Sequence, residues 1–212
     1  QAGNPKPRIF RFPESEALVN RLGFNSRGAE AAAARLRRLR RRPVPIGINI
    51  GLNANVAHDD AAEEYAKTFV RLYPYGDYFA VNVSSPNTEG LRRLQDKLRL
   101  EKILTRLSGL NGDRKPIFVK LSPDLNPEAI AELVPVLLEY AAGVIATNTT
   151  IARPAGCERA ENLSGGLSGA PLRDLSTRVI RQVYSASGGR LPIIGVVPHG
   201  ALHFVPFPAL RL

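Results

Sequence analysis

The sequence predicts an α/β protein built on a (β/α)8 barrel of the TIM type, incomplete here with five of its eight strands. Three observations predict it. Apolar, partly β-branched runs alternate with amphipathic segments between residues 46 and 196 without hairpin signals, which is the pattern of parallel strands joined by right-handed crossovers. One strand after another ends in polar groups: Asn49, then Asn82 and Ser85, then Lys120, then Thr147, Asn148 and Thr149. A barrel assembles its site from all its βα loops, whereas an open sheet concentrates it at one switch point. No G-x-G-x-x-G follows the first strand, which argues against a dinucleotide-binding unit.

In chain order, residues 1–12 are Pro-rich and basic and read as an extended connector. Pro13-Glu14-Ser15-Glu16 then opens a short helix through Ala17, Leu18 and Val19, with acids in the first turn where the helix dipole favours them, and the helix stops at Gly23. Asn20-Arg21-Leu22-Gly23-Phe24-Asn25 is its exit, and a plain Asn/Gly cap accounts for it as well as a binding loop does. Residues 29–39 form an alanine-rich helix ended by Pro43 and Pro45. Strands are expected over 46–51, 78–84, 117–122, 143–149 and 192–196, with helices over 60–72, 91–107, 127–140 and 172–184. In the third of these helices Ile130, Leu133, Val134, Leu137 and Leu138 share one face.

The stretch Asn82-Val83-Ser84-Ser85-Pro86-Asn87-Thr88-Glu89-Gly90-Leu91 carries most of the chemistry. Pro86 denies the strand a donor and ends it. Two amides bracketing two hydroxyls could grip a planar polar ring, although a turn rich in Ser, Pro and Asn satisfies the same spacing. Side-chain alternation turns Ser84 to the face opposite Ser85.

With 212 residues, 44% hydrophobic and 23% charged, the chain can bury one sizeable core. It has no apolar run long enough to span a bilayer and no signal-peptide pattern at its start. Cys157 is its one cysteine, which excludes an intrachain disulfide and favours a reducing compartment. The formal charge of +10 is concentrated between Arg35 and Arg42 and lacks interleaved aromatics, so a solvated helix end is favoured over nucleic acid as a partner. The absence of methionine and the start at Gln1 lead to the expectation of a piece of a longer product.

Six ordered blocks carry a resemblance: Asn20-Arg21-Leu22-Gly23-Phe24-Asn25, Gly47-Ile48-Asn49-Ile50-Gly51, Val81-Asn82-Val83-Ser84-Ser85-Pro86-Asn87-Thr88, Val119-Lys120-Leu121-Ser122-Pro123-Asp124-Leu125, Ala146-Thr147-Asn148-Thr149-Thr150 and Gly165-Gly166-Leu167-Ser168-Gly169-Ala170-Pro171-Leu172. Together they resemble dihydroorotate dehydrogenase, and the loop serine resembles the class 2, quinone-reducing branch. The resemblance implies flavin mononucleotide (FMN) as cofactor, oxidation of dihydroorotate to orotate in pyrimidine biosynthesis, and a quinone as electron acceptor. It implies Ser85 as the catalytic base. It implies substrate contacts from Asn20, Arg21, Leu22, Gly23, Phe24, Asn82, Asn87, Asn148 and Thr149, and cofactor contacts from Asn49, Asn82, Lys120, Thr147 and Gly169. No metal is implied. By itself Lys120 could equally be an ordinary salt-bridge partner.

The same resemblance implies departures. The family's membrane-associating helical segment and first two barrel strands do not precede Gln1, so the parent enzyme is expected at a membrane, the cytoplasmic face or the mitochondrial inner membrane, while this chain alone is expected to be soluble. Residues 1–196 are expected to form the partial catalytic domain. Val197 and Pro198 replace the family's paired glycines, and residues 197–212 are expected to be a non-matching tail in which His199 and His203 are not ligands. His58 is expected to be solvated. Five parallel strands do not close an eight-stranded barrel, so the chain alone is expected neither to hold FMN nor to turn over. Against this reading stand an inactive interaction chain and another FMN barrel oxidoreductase acting on a different ring.

Overall fold

Two strands precede the first helix. β1 (Ile9–Phe12) and β2 (Ala17–Asn20) form an antiparallel hairpin with Phe12 opposite Ala17 and Ile9 opposite Asn20. This corrects the expected connector and helix. Residues 13–15 make a single 3-10 turn, Glu16 follows in the left-handed region at φ 46°, and the chain then reverses. Along β2 buried Ala17 and Val19 alternate with half-buried Leu18 and Asn20, a period of two rather than 3.6. The computed structural model describes residues 2–39, 41, 43–88 and 90–196. The expected tail at 197–212, with His199 and His203, lies outside them.

Beyond the hairpin the alternation is as expected. α1 (Ala29–Arg37), β3 (Gly47–Gly51), α2 (Ala61–Leu72), β4 (Tyr78–Asn82), α3 (Lys97–Ser108), β5 (Ile117–Leu121), α4 (Pro127–Tyr140) and β6 (Gly143–Ala146) follow one another, then β7 (Gly166–Gly169), α5 (Arg173–Ala186) and β8 (Ile193–Gly195). Strands β3, β4, β5, β6 and β8 pair in that order, all parallel. Each expected strand is shortened at one end or both; at β4, β5 and β6 the residues that leave the ladder include the polar Ser84, Ser122, Thr147, Asn148 and Thr149. The expected helix over 91–107 is two pieces, a 3-10 turn at Leu91–Gln95 and α3, separated at Asp96, whose carboxylate accepts from the Leu98 amide and caps α3. At α4 the Asn126 side chain accepts from Ala129 N at 2.8 Å and Pro127 takes the first helical position, which fixes where the expected helix begins.

β7 was not expected as a strand. It pairs antiparallel with β2, so β1, β2 and β7 form a second, three-stranded sheet. Gly169 is required there: its φ is 104°, and a Cβ would lie 2.0 Å from the Glu16 carbonyl oxygen.

The main core lies between the parallel sheet and its helices. Tyr65, Phe69 and Leu72 of α2, Leu100, Ile103, Leu104 and Leu107 of α3, and Ile130, Leu133, Val134 and Leu137 of α4 pack on Ile50, Phe79, Val81, Val119, Leu121 and Val144. A smaller cluster of Ala17, Val19, Cys157, Ala160 and Leu167 supports the second sheet. No helix among the described residues is long and apolar enough to cross a membrane. Phe69 is fully buried, with its ring 4.5 Å from that of Phe79. Phe69→Ala should therefore lower the unfolding free energy by about 3–5 kcal/mol, read as a lower urea midpoint with unchanged slope.

Candidate active site at the carboxyl ends of the strands

The register of the parallel sheet decides which side chains meet. Val119 and Leu121 face the helices, so Phe118 and Lys120 face the opposite, concave side, where the Phe118 ring meets that of Tyr78 edge-on. Asn82 pairs with Lys120 and with Gly51, and Asn49 pairs with Ala80. Asn49, Asn82 and Lys120 therefore share the concave face. Asn49 is exposed there, Lys120 is half-buried and Asn82 is buried.

Asn82 is the hub of an amide cluster. Its Oδ1 accepts from Ser84 N, Ser84 Oγ and Asn148 Nδ2, each at 3.3 Å. Its carbonyl accepts from the Tyr65 hydroxyl at 2.9 Å, and burial pushes the Tyr65 pKa up, which keeps that group a donor. Asn148 Nδ2 also donates to Ser84 Oγ at 3.0 Å, and Asn148 Oδ1 accepts from Thr149 N at 2.9 Å. Ser84 thus lies inside the cluster, not on a face turned away from it. The strand stops at Asn82, so its alternation does not carry on to Ser84 and Ser85.

Around Asn87 the second sheet closes over the first. Asn87 Nδ2 donates to Asn20 Oδ1 at 2.8 Å, and Asn20, at the end of β2, sits opposite Gly166 of β7. A Cβ at Gly166 would lie 1.9 Å from Thr149 Oγ1, so only glycine lets β7 approach the loop after β6 this closely. Asn87 N donates to Ser85 Oγ at 3.2 Å, holding that hydroxyl at the turn; Ser85 is 7% exposed. Among the described residues, Asn87 Oδ1 and Thr88 Oγ1 are buried without a hydrogen-bond partner. A buried unpaired polar atom costs about 1–3 kcal/mol, and a ring N–H or hydroxyl brought by a ligand would relieve it.

The other expected site residues divide. Phe24, in the left-handed region at φ 52°, lays its ring against Gly51 and with Asn49 lines a cleft of about 270 Å³ along the edge of β3. Gly23 is buried against the Asn4 side chain, and the Leu22 carbonyl accepts from Asn4 N at 3.1 Å. The Arg21 guanidinium turns away, to Pro7 O at 2.8 Å, Ser164 Oγ at 3.3 Å and the face of Phe10. Thr147 Oγ1 donates to Ser176 Oγ at 3.0 Å. Gly169 sits against Glu16, so its lack of a side chain already has a packing cause. His58, expected to be solvated, is half-buried, with its ring against Gly90; a glycine there leaves room for the imidazole.

Lys120 has no hydrogen bond or ion pair among the described residues, and burial pushes its pKa below the usual lysine value. An unpaired cation on a concave, amide-lined face suits a planar ligand that gains negative charge, such as a flavin ring on reduction, and the exposed Asn49 amide, two strands away on the same face, adds donors and acceptors. The sequence reading missed Asn4, whose Nδ2 donates to the Asn87 carbonyl at 3.0 Å, and also Tyr65, Gln95 and Arg92. Asn4 had a faint signal as an amide in a Pro-rich arm. The others sat on helical segments that read as ordinary amphipathic surface.

The model of the dihydroorotate dehydrogenase family matches residues 1–197. The chain belongs to the dihydroorotate dehydrogenase family. It is 50% identical over 204 residues to dihydroorotate dehydrogenase (quinone) of Anaeromyxobacter dehalogenans strain 2CP-C, covering 92% of this chain and 56% of that protein. It is 51% identical over 197 residues to the protein of the same name from Gloeobacter violaceus, covering 92% and 55%. The crystal structure of the Eimeria tenella enzyme in complex with ferulenol superposes with a TM-score of 0.84 at 35% identity, over 92% of this chain and 60% of that one. The chain therefore spans a little over half the length of these relatives, and its parallel sheet is five strands of the family barrel. Members of the family are flavin enzymes, which fits the unpaired lysine.

Burying an unpaired ammonium costs stability while it is charged. Because the folded pKa is depressed, that cost is complete below the folded value and fades as pH rises toward ~10.4, the ordinary lysine value. Lys120→Met should raise the thermal midpoint of this chain by ~2–4 °C at neutral pH. The advantage should shrink as the pH approaches 10, and a gain independent of pH would show that ammonium burial is not its cause.

Proposed function

We propose that the parent protein oxidises dihydroorotate to orotate with FMN, passing the electrons to a quinone. The observation that carries this reading is the pair of amide groupings on either side of the Ser84–Ser85 turn, Asn82 with Asn148 and Asn20 with Asn87, near the unpaired Lys120, in a chain whose relatives bear the name dihydroorotate dehydrogenase (quinone). When bound, the flavin supplies acceptance of a hydride from C6 of the substrate.

The chain's own residues do the rest. The Ser85 hydroxyl takes the proton from C5 as it passes its own on to solvent, its oxygen held in place by the Asn87 main-chain N–H. Asn82, Asn148 and Thr149 grip one edge of the ring and Asn20 and Asn87 the other, since each amide presents both a donor and an acceptor to the ring. The free Asn87 Oδ1 suits a ring N–H. The main chain at Leu22, Gly23 and Phe24 walls the substrate, and Arg21, turned outward, supports that wall from the side. Lys120 lies where its charge offsets negative charge gained by the reduced flavin ring, with Asn49, Asn82, Thr147 and the main chain at Gly169 as further cofactor contacts. The second sheet excludes water above the ring. The setting is pyrimidine biosynthesis at a membrane face, the membrane contact being made by a part of the parent outside these residues, and no nucleic acid takes part.

The test joins this segment to the flanking strands of the Anaeromyxobacter relative and follows dihydroorotate oxidation with a quinone. Ser85→Ala should cut turnover by ~10²-fold or more with flavin still bound. Asn148→Ala should weaken dihydroorotate and orotate alike, because it removes hydrogen bonds made in ground and transition states. Near-normal turnover by Ser85→Ala would remove the base, and no oxidation by the unmutated protein would remove the function.

A further inference from the structure

The 3-10 turn at Leu91–Gln95 is pinned from below by Leu91 and Leu94, both fully buried, and sends two polar side chains upward into neighbouring loops. Gln95 Oε1 accepts from Ser122 N at 2.8 Å. Arg92 engages all three of its nitrogens: Nε donates to the Ser84 carbonyl at 3.3 Å, Nη2 to the Thr149 carbonyl at 2.9 Å, and Nη1 to Asp124 Oδ2 at 2.5 Å. Asp124 then collects the far side of the same loop. Its Oδ2 accepts from Ile151 N at 3.1 Å and its Oδ1 from the Thr150 hydroxyl. One guanidinium and one carboxylate, each about one-fifth exposed, thus tie together the loops after β4, β5 and β6.

We propose that Arg92, paired with Asp124, is a positioning residue that sets substrate affinity without touching the substrate: it holds Thr149, and through it Asn148, against the Ser84–Ser85 turn. The proposal rests on the function argued above for where the substrate lies. The residue type follows from the task. A planar fork reaches three separate acceptors at fixed angles, whereas the point charge of a lysine serves one. Pairing with Asp124 also cancels the charge, so the cluster meets the substrate as oriented neutral amides. Thr149 N donates to Asn148 Oδ1, so moving the Thr149 peptide moves the Asn148 amide with it.

The test has two arms. In this chain, amide hydrogen exchange by NMR should show Ile151 N–H exchanging at least ~10-fold faster in Arg92→Gln, with the β5 ladder amides unchanged. Arg92→Lys, which keeps the Asp124 pair, should restore Ile151. Arg93→Gln removes the same charge from an exposed neighbour on the same turn and should change nothing. In the joined enzyme, Arg92→Gln should raise KM for dihydroorotate about tenfold with kcat within ~threefold, the signature of binding lost equally in ground and transition states. Unchanged exchange at Ile151, an equal effect from Arg93→Gln, or a fall in kcat with KM unmoved would overturn the proposal. If the joined enzyme oxidises no dihydroorotate even without substitution, the function fails, while the exchange arm still decides whether the clamp exists.

Discussion

Everything at the site depends on the hydrogen-bonded register of four parallel strands. With Gly51 beside Asn82 and Asn82 beside Lys120, the polar residues share one face and Ile50, Val81, Val119 and Leu121 share the other. A slip of β5 by one residue against β4 would bury Lys120 under the helices and put a valine or leucine on the concave face. The core enforces the site: the apolar side chains that make the wrong register costly are the immediate sequence neighbours of the functional ones.

Much of this arrangement was legible in the sequence because it is local. The apolar runs at Ile117–Leu121 and Tyr78–Asn82 and the capped, Pro-started helix Pro127–Tyr140 announce themselves through period and punctuation. Asn49, Asn82 and Lys120 could be placed because a parallel unit always sends its last residues to the same end of the sheet. The hairpin could not. Glu14 and Glu16 imitate the acidic first turn of a helix, and β7, with glycine at both ends, has little intrinsic strand preference; the two make sense only opposite each other. Ser84 was misplaced for a related reason, since alternation was extended past the last ladder bond. Arg92 and Asp124 stayed hidden because their partners are largely main-chain groups of other loops, which leave no pattern in residue type.

The electrostatics of the site are economical. The groups gathered at the strand ends are mostly neutral amides and hydroxyls, and the charged side chains described near them are either neutralised, as Arg92 is by Asp124, or left single, as Lys120 is. Among the described residues, the concave face thus presents one uncompensated positive charge amid neutral donors and acceptors.

The three-stranded sheet has a further consequence for the order in which the molecule comes together. β3, β4 and β5 each pair with the next strand after a single helix, but β2 pairs with β7, with Asn20 meeting Gly166 at a sequence separation of 146. Closing so long a loop before any contact rewards it is entropically late. The parallel sheet that carries Asn82 and Lys120 is built from shorter loops, whereas the seating of Asn20 on Asn87 depends on the long-range pairing of β2 with β7, so it is the costliest part of this arrangement to close.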